Sequence, residues 1–174
     1  MAMLPVRSHL SPSSCESGGW CAPRLNLLLT YGGWHPESWV DHLPRLLAPM
    51  GITAVRARSG VEAASVIRST PVHIAVVDLS LPLDAPQTDD SGDFAPAGEE
   101  GGERIIELLR RLEAPPPTVV VKRRRSGREN ARSLSNALAA GVFAVLEPPV
   151  HLEHALEVMR RVLQRHYAGR WPVA

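Results

Sequence analysis

The sequence lacks the features that direct a chain into or across a membrane. No hydrophobic run approaches the roughly 20 residues that a membrane-spanning helix needs, and the first residues lack the charged-then-apolar pattern of a secretory signal. Net charge is also nearly absent, because 19 basic and 18 acidic residues leave a formal charge of +1. So small a charge argues against binding to nucleic acid or to a membrane surface through bulk electrostatics.

Cysteine is scarce as well. The two cysteines, Cys15 and Cys21, both lie in the N-terminal segment, outside the predicted core. They could form a bridge, but an isolated pair is more typical of reduced thiols in a cytosolic protein than of a disulfide framework. We therefore expect a cytoplasmic protein with no membrane span.

The composition is that of an ordinary globular domain. With 174 residues, 44% of them hydrophobic and 21% charged, the chain is long enough for one well-filled core. Residues 1–23 are rich in Ser, Pro and Gly and are predicted to be a flexible segment. One domain is expected over residues 24–168, with an acidic, mobile insertion at 83–102 and a short tail at 169–174.

Within residues 24–168, apolar strands alternate with amphipathic helices. This order predicts an α/β fold, a doubly wound five-stranded parallel sheet with two helices on one face and three on the other. A flavodoxin-like strand order, 2-1-3-4-5, is the economical expectation. Strands are predicted at 25–29, 52–57, the run that ends at Asp78, 118–121 and 142–146, and helices at 36–50, from 60 onward, 103–112, 127–140 and 152–167.

The centre of the pattern is the run from His73 to Pro82, an apolar strand that ends in the carboxylate Asp78. Open α/β sheets bind their ligands at the carboxyl ends of their strands, so Asp78 is a candidate site residue. The alternative, to which spacing alone gives about equal weight, is that its side chain stabilises the following turn.

Four short segments of this pattern are informative together, namely residues 76–82, 102–106, 139–142 and 145–150. They resemble the corresponding segments of bacterial response-regulator receiver domains of the CheY-like type. The resemblance extends over roughly Arg24 to Arg165, without the acidic insertion. It implies that Asp78 lies where receivers accept a phosphoryl group from a histidine kinase.

The other receiver positions depart from that pattern. Receivers end the first strand with two acidic residues that hold Mg²⁺, but this chain has Thr30 and Tyr31 there. Lys122, or Arg123 if the register slips, replaces the Ser or Thr that ends the fourth strand, and Pro148 replaces the lysine after the fifth. Phosphoryl transfer depends on positioned charge, and neither Thr30 nor Tyr31 replaces a carboxylate as a Mg²⁺ ligand. The sequence therefore predicts a degenerate pseudo-receiver that is not an enzyme and needs no cofactor or metal.

The expected function is phosphorylation-independent binding of a protein partner, or self-association, in signalling or regulation. One alternative is a phosphorylatable single-domain response regulator that accepts phosphate from a kinase on Asp78. A second is an adaptor that binds nucleic acid or an acidic partner through the basic loop 122–128, although the small net charge disfavours nucleic acid. The resemblance suggests an interaction surface on the last strand and its flanking helices, with candidates Val145, Met159, Tyr167, Arg123, Arg124 and Arg125. Met159 is equally consistent with packing in the core.

A cation is expected to close the pocket in place of metal and phosphate. Lys122 leaves the end of the strand next to Asp78, so its ammonium group could pair with the carboxylate and lower its pKa. Arg123 is the other candidate for this role. The alternative is that Lys122 points into solvent, as long cationic side chains often do.

Overall fold

The computed structural model describes residues 25–31, 39–84, 101–122, 139 and 141–168. Within these residues the chain forms one parallel sheet whose strand order is β2-β1-β3-β4-β5, which confirms the predicted topology. The elements in chain order are β1 Leu25–Thr30, α1 Trp39–Leu47, a 3₁₀ turn Ala48–Met50, β2 Ile52–Ala57, α2 Gly60–Ser69, β3 Ile74–Asp78, α3 Gly102–Arg110, β4 Thr118–Val121, β5 Ala144–Leu146 and α4 Leu152–Tyr167.

One face of the sheet is covered by α1 and α4. Alternate residues of each strand point to the same face, so Leu25, Leu27 and Leu29 of β1 pack together on this side. From the helices they meet a set of fully or nearly fully buried side chains. These are Val40, Leu43 and Leu47 of α1 and Val158, Met159 and Val162 of α4.

The opposite face is covered by α2 and α3, which contact each other. The intervening strand residues, such as Leu28, Val77 and Val120, form the second core cluster there. The described residues therefore contain two helices on each face. The third helix predicted for one face, over 127–140, lies outside the described residues apart from Ala139.

The ends of several elements differ slightly from the sequence prediction. The helix α3 begins at Gly102 and ends at Arg110, not at 103 and 112, and β5 begins at Ala144, not at 142. The helix α1 ends at Leu47 and is followed by a 3₁₀ turn. Gly51 donates its N–H to the Ala48 carbonyl and closes that turn with φ +79°, the left-handed conformation that glycine commonly adopts at a helix end.

The predicted terminal segments and the predicted insertion lie largely outside the described residues. Segment 1–23 and the tail 169–174 lie outside the described residues. Of the predicted insertion 83–102, four residues are described. Gly101 is buried and donates its N–H to the Leu81 carbonyl, Gly102 begins α3, and Leu83 accepts a hydrogen bond from Val61. These ends of the segment are therefore part of the folded domain. No helix in the described residues is long and apolar enough to cross a membrane.

Candidate functional site at the carboxyl edge of the sheet

Asp78 is the last residue of β3, the central strand, as the sequence predicts. The residue is only 4% exposed. One carboxylate oxygen, Oδ1, accepts the backbone N–H of Ser80 at 2.9 Å, and the Asp78 carbonyl accepts the N–H of Leu81 at 3.1 Å. An aspartate that binds the amide two residues further on makes an Asx turn. The turn-forming role left open by the sequence is therefore present in the structure.

Thr30 ends the neighbouring strand β1 and contacts Asp78 directly. Its hydroxyl accepts the backbone N–H of Asp78 at 2.9 Å and donates to the Val76 carbonyl at 3.3 Å. The last backbone pairing between β1 and β3 joins Leu29 to Val76. Where that pairing ends, the Thr30 hydroxyl joins β1 to the Val76 carbonyl and the Asp78 N–H of β3. Thr30 is 1% exposed. Its side chain is thus a buried part of the sheet.

Lys122 follows β4, the strand on the other side of Asp78. Val121 is the register partner of Asp78, and the Lys122 N–H donates to the Leu146 carbonyl of β5 at 2.9 Å. Lys122 is the only lysine of the chain and is 5% exposed. The alternative of a solvent-directed side chain is therefore wrong. Asp78 and Lys122 are also the only buried carboxylate and the only buried cation among the described residues.

The direct ion pair between these two groups stays a prediction. Exposed side chains form ion pairs elsewhere on the surface, such as Arg56 with Asp41, Arg111 with Glu107 and Arg160 with Glu157. Every buried side-chain nitrogen and oxygen atom in the described part of the chain nevertheless has a hydrogen-bond partner. The second predicted partner of Asp78, Arg123, lies outside the described residues.

Two further pocket positions, Tyr31 and Pro148, are half-buried. Tyr31 donates its N–H to the Ala57 carbonyl of β2, and its ring packs against the core cluster under α1 and α4. Pro148 follows β5 and is joined to Pro149 by a cis peptide bond. Neither residue supplies a carboxylate or an ammonium group. Between residues 25 and 168, the described residues contain no cluster of three His, Cys, Asp or Glu side chains that could hold a metal ion.

The magnesium ion that the resemblance implies is therefore not matched by the residues present at this edge. The hydroxyl of Thr30, at the first of the two acidic positions, already donates to one backbone group and accepts from another. Mg²⁺ binds through one or two carboxylates and keeps a near-ideal octahedron of oxygen ligands. Asp78 is the carboxylate that the end of β3 contributes, and one of its oxygens is bonded to Ser80.

Three residues that the sequence did not single out complete this edge. Ser80 supplies the amide for the Asx turn. Gly102 packs so closely on the end of β3 that an added Cβ would lie 2.6 Å from the Asp78 carbonyl oxygen. Ser59 is buried and accepts the Glu62 N–H at the start of α2. The spacing Asp-x-Ser and the Ser-x-x-Glu pattern were the available signals.

The predicted interaction residues fall into three groups. Met159 is 2% exposed and belongs to the core, so of its two expected placements the core is correct and the surface is wrong; its position on the inner stripe of α4 explains the burial. Val145 is half-buried on β5. Tyr167 is half-buried at the end of α4, where its hydroxyl donates to the His73 carbonyl and burial raises the pKa of the phenol. Arg123, Arg124 and Arg125 lie outside the described residues.

A shallow cavity of about 130 Å³ lies beside the start of β4, between α3, the proline run 115–117 and His166. Small-molecule sites usually enclose roughly 300–1,000 Å³. None of the predicted site residues lines this cavity. The carboxyl edge around Asp78 is therefore the better candidate site.

Solved structures with this architecture come from several organisms. The non-phosphorylated HemR receiver domain from Leptospira biflexa is 20% identical, with a TM-score of 0.57, over 80% of this chain and 94% of that one. A CheY-like receiver domain from Methanospirillum hungatei is 19% identical, with a TM-score of 0.60, over 83% and 98%. A receiver protein from Pseudomonas putida is 22% identical, with a TM-score of 0.57, over 80% and 98%.

This chain has the receiver-domain fold. The resemblance seen in the sequence is confirmed at that level, because the matched structures are response-regulator receiver domains. Sequence identities near 20% establish a shared fold but not a shared chemistry. No protein-family profile and no curated protein sequence matches the chain.

Proposed function

We propose that this protein is a receiver-like module that binds a protein partner, or a second copy of itself, in a signalling or regulatory pathway without phosphorylation of Asp78. In this proposal it catalyses no reaction. The observation that carries the proposal is the burial of Asp78 together with the use of the Thr30 hydroxyl inside the sheet. The first concerns the carboxylate that would accept the phosphoryl group, and the second concerns a position at which receivers hold Mg²⁺.

The first argument concerns access. A carboxylate accepts a phosphoryl group only when an oxygen can approach the phosphorus atom in line with the leaving group. Asp78 is 4% exposed, and its Oδ1 is held by the Ser80 amide. A donor would have to displace the structure that covers the carboxylate before reaction could begin.

The second argument concerns charge. The transferred phosphoryl group carries negative charge on its equatorial oxygens, which divalent cations and basic side chains neutralise in phosphotransfer sites. The strand ends that flank Asp78 bring a neutral hydroxyl from Thr30 and a neutral phenol from Tyr31 where receivers have metal ligands. Pro148 has no donor to offer the phosphoryl oxygens. Each lost contribution of this kind typically costs several kcal/mol of transition-state stabilisation.

The nucleic-acid alternative gains no support from the described residues. Lys122 begins the basic loop 122–128, but at 5% exposure it does not present its ammonium group to a phosphate backbone. The remaining basic residues of this loop lie outside the described part of the chain. We therefore propose protein binding.

The test is incubation with acetyl phosphate and Mg²⁺, followed by measurement of the intact mass. We expect the mass to stay unchanged under conditions that phosphorylate a control receiver domain. A phosphoryl adduct that is present in the wild-type protein and absent in Asp78→Asn would overturn the proposal in favour of a phosphorylatable response regulator. An adduct that persists in Asp78→Asn lies at another residue and leaves the Asp78 argument intact.

A further inference from the structure

The loop after Asp78 satisfies the first amides of two helices. The first N–H groups of any α-helix have no partner within the helix. At the start of α2, Gly60 donates to the Pro82 carbonyl at 2.8 Å and Val61 donates to the Leu83 carbonyl at 3.0 Å. Just before α3, Gly101 donates to the Leu81 carbonyl at 2.7 Å. The segment 81–83 therefore connects β3 to both helices on one face of the sheet.

Asp78 determines where this segment begins. Its carboxylate binds the Ser80 amide and its carbonyl binds the Leu81 amide, which turns the chain directly after the strand. Thr30 holds the Asp78 amide from the side of β1. The Asp78 carboxylate and the Thr30 hydroxyl are thus two side-chain acceptors in a series of bonds whose other members join backbone groups.

Close packing limits any rearrangement of this turn. A Cβ added at Gly102 would lie 2.6 Å from the Asp78 carbonyl oxygen and from the Leu79 Cα atom. At Gly101 an added Cβ would lie 3.1 Å from the Leu83 Cα atom. Backbone therefore lies against backbone on both sides of the turn, and a shift of the loop would have to move α3 with it.

We propose that Asp78 acts in this protein as a turn-forming residue that positions the N-termini of α2 and α3. Its carboxylate is a permanent hydrogen-bond acceptor, and the face formed by α2 and α3 has one arrangement that needs no phosphorylation. This inference deepens the proposed function, because it assigns Asp78 the structural role that remains when phosphate acceptance is removed.

The proposal distinguishes two substitutions that a phosphate-acceptor role would treat alike. Asn retains a side-chain oxygen that can accept the Ser80 amide, whereas Ala has no acceptor. Neither can accept a phosphoryl group. Amide hydrogen exchange, resolved by residue with NMR, should be compared in the wild-type protein, Asp78→Asn and Asp78→Ala.

We expect exchange at Gly60, Val61 and Gly101 to be about tenfold faster or more in Asp78→Ala, because these amides lose the loop that accepts them. In Asp78→Asn the same three amides should exchange at close to the wild-type rate. The control is the His73 amide, which donates to the Asn26 carbonyl at the other end of β3 and should be unchanged in both variants.

Unchanged exchange at the three amides in Asp78→Ala would overturn the inference, as would equal acceleration in Asn and Ala. Should Asp78→Ala fail to fold, with fast exchange at His73 as well, Asp78→Ser replaces it. The serine hydroxyl is a weaker acceptor in this type of turn, so intermediate exchange supports the inference and wild-type exchange overturns it. The phosphoryl assay described above fails or succeeds independently, because it reports a covalent adduct and not amide protection.

Discussion

Substitution of Gly102 by alanine tests the close contact between α3 and the end of β3. The added Cβ would meet the Asp78 carbonyl oxygen at 2.6 Å, the Leu79 Cα atom at 2.6 Å and the Leu79 carbonyl oxygen at 2.8 Å. All three are backbone atoms, which cannot rotate away as the end of a flexible side chain can. The substitution therefore has to push α3 away from the strand or displace the turn after Asp78.

The chain contains a matched control for this substitution. Gly60 is also the first residue of a helix, α2, and it is also buried. A Cβ there would meet the end of the Leu83 side chain at 3.2 Å and the Leu83 carbonyl oxygen at 3.3 Å. These contacts are tight, but a shift of a few tenths of an ångström relieves them. The change in backbone freedom from Gly to Ala is the same at both positions, so it cancels when the two variants are compared.

Overpacking of a well-filled core typically costs about 1–3 kcal/mol, and the contacts at Gly102 place it in the upper part of that range. A difference of about 2 kcal/mol between the two variants corresponds to about 4–8 °C in Tm for a domain of this size. Thermal unfolding followed by circular dichroism gives the two midpoints, and urea unfolding gives the free energies. If Gly102→Ala and Gly60→Ala unfold at the same midpoint, the close packing of α3 on the end of β3 is wrong.

Four further predictions concern single side chains. Thr30→Val should destabilise the fold by about 1–3 kcal/mol because the buried Asp78 N–H loses its hydrogen-bond acceptor. Thr30→Ser should lower the free energy of unfolding by less in the same urea titration. The reverse order of the two variants would contradict the hydroxyl bridge. Lys122 should resist an amine-acylating reagent in the native protein and react after unfolding, as read by peptide mass mapping, and native labelling would show the amine to be accessible. Tyr167→Phe should lower the free energy of unfolding by about 0.5–1.5 kcal/mol at neutral pH. Because folding raises the pKa of the phenol, the stability advantage of the wild-type protein persists below the ordinary pKa of about 10 and disappears as pH rises through the pKa of the folded protein. A stability difference that stays constant across that pH range would refute this prediction. If the chain self-associates through β5, Val145→Asp should lower the association constant in sedimentation equilibrium, and an unchanged constant would move the interface elsewhere.

The topology could be predicted because each strand is a short, almost uniformly apolar run between helices with one apolar stripe. Runs of that kind form strands buried on both faces, and right-handed crossovers leave few ways to connect them. The end of β3 at Asp78 and the stop at Gly51 were also predictable, since both depend on residues next to each other in sequence. In these places the residues next to one another in sequence were sufficient to predict where the element ends.

The site depended on contacts that sequence spacing does not contain. Thr30 lies 48 residues before Asp78, and its use as a bridge follows from where β1 and β3 stop pairing. The burial of Lys122 could not be predicted from its neighbours in sequence, since a lysine before three arginines is typical of an exposed loop. Met159 was ambiguous because a methionine on an amphipathic helix fits either a core or a surface.

Asp78 illustrates why a family position does not fix a role. A carboxylate at the end of a central strand can accept a phosphoryl group, bind a metal, or accept a backbone amide, and these uses compete for the same oxygen atoms. In this chain Ser80 occupies one of those oxygens, Thr30 holds the amide of the same residue, and segment 81–83 supplies acceptors for α2 and α3. A residue with so many native contacts can persist at its position for structural reasons after the surrounding metal ligands are replaced. The presence of aspartate there is therefore no evidence of phosphorylation by itself. The informative comparison is between asparagine and alanine, because neither accepts a phosphoryl group and asparagine alone can retain the hydrogen bond of the turn.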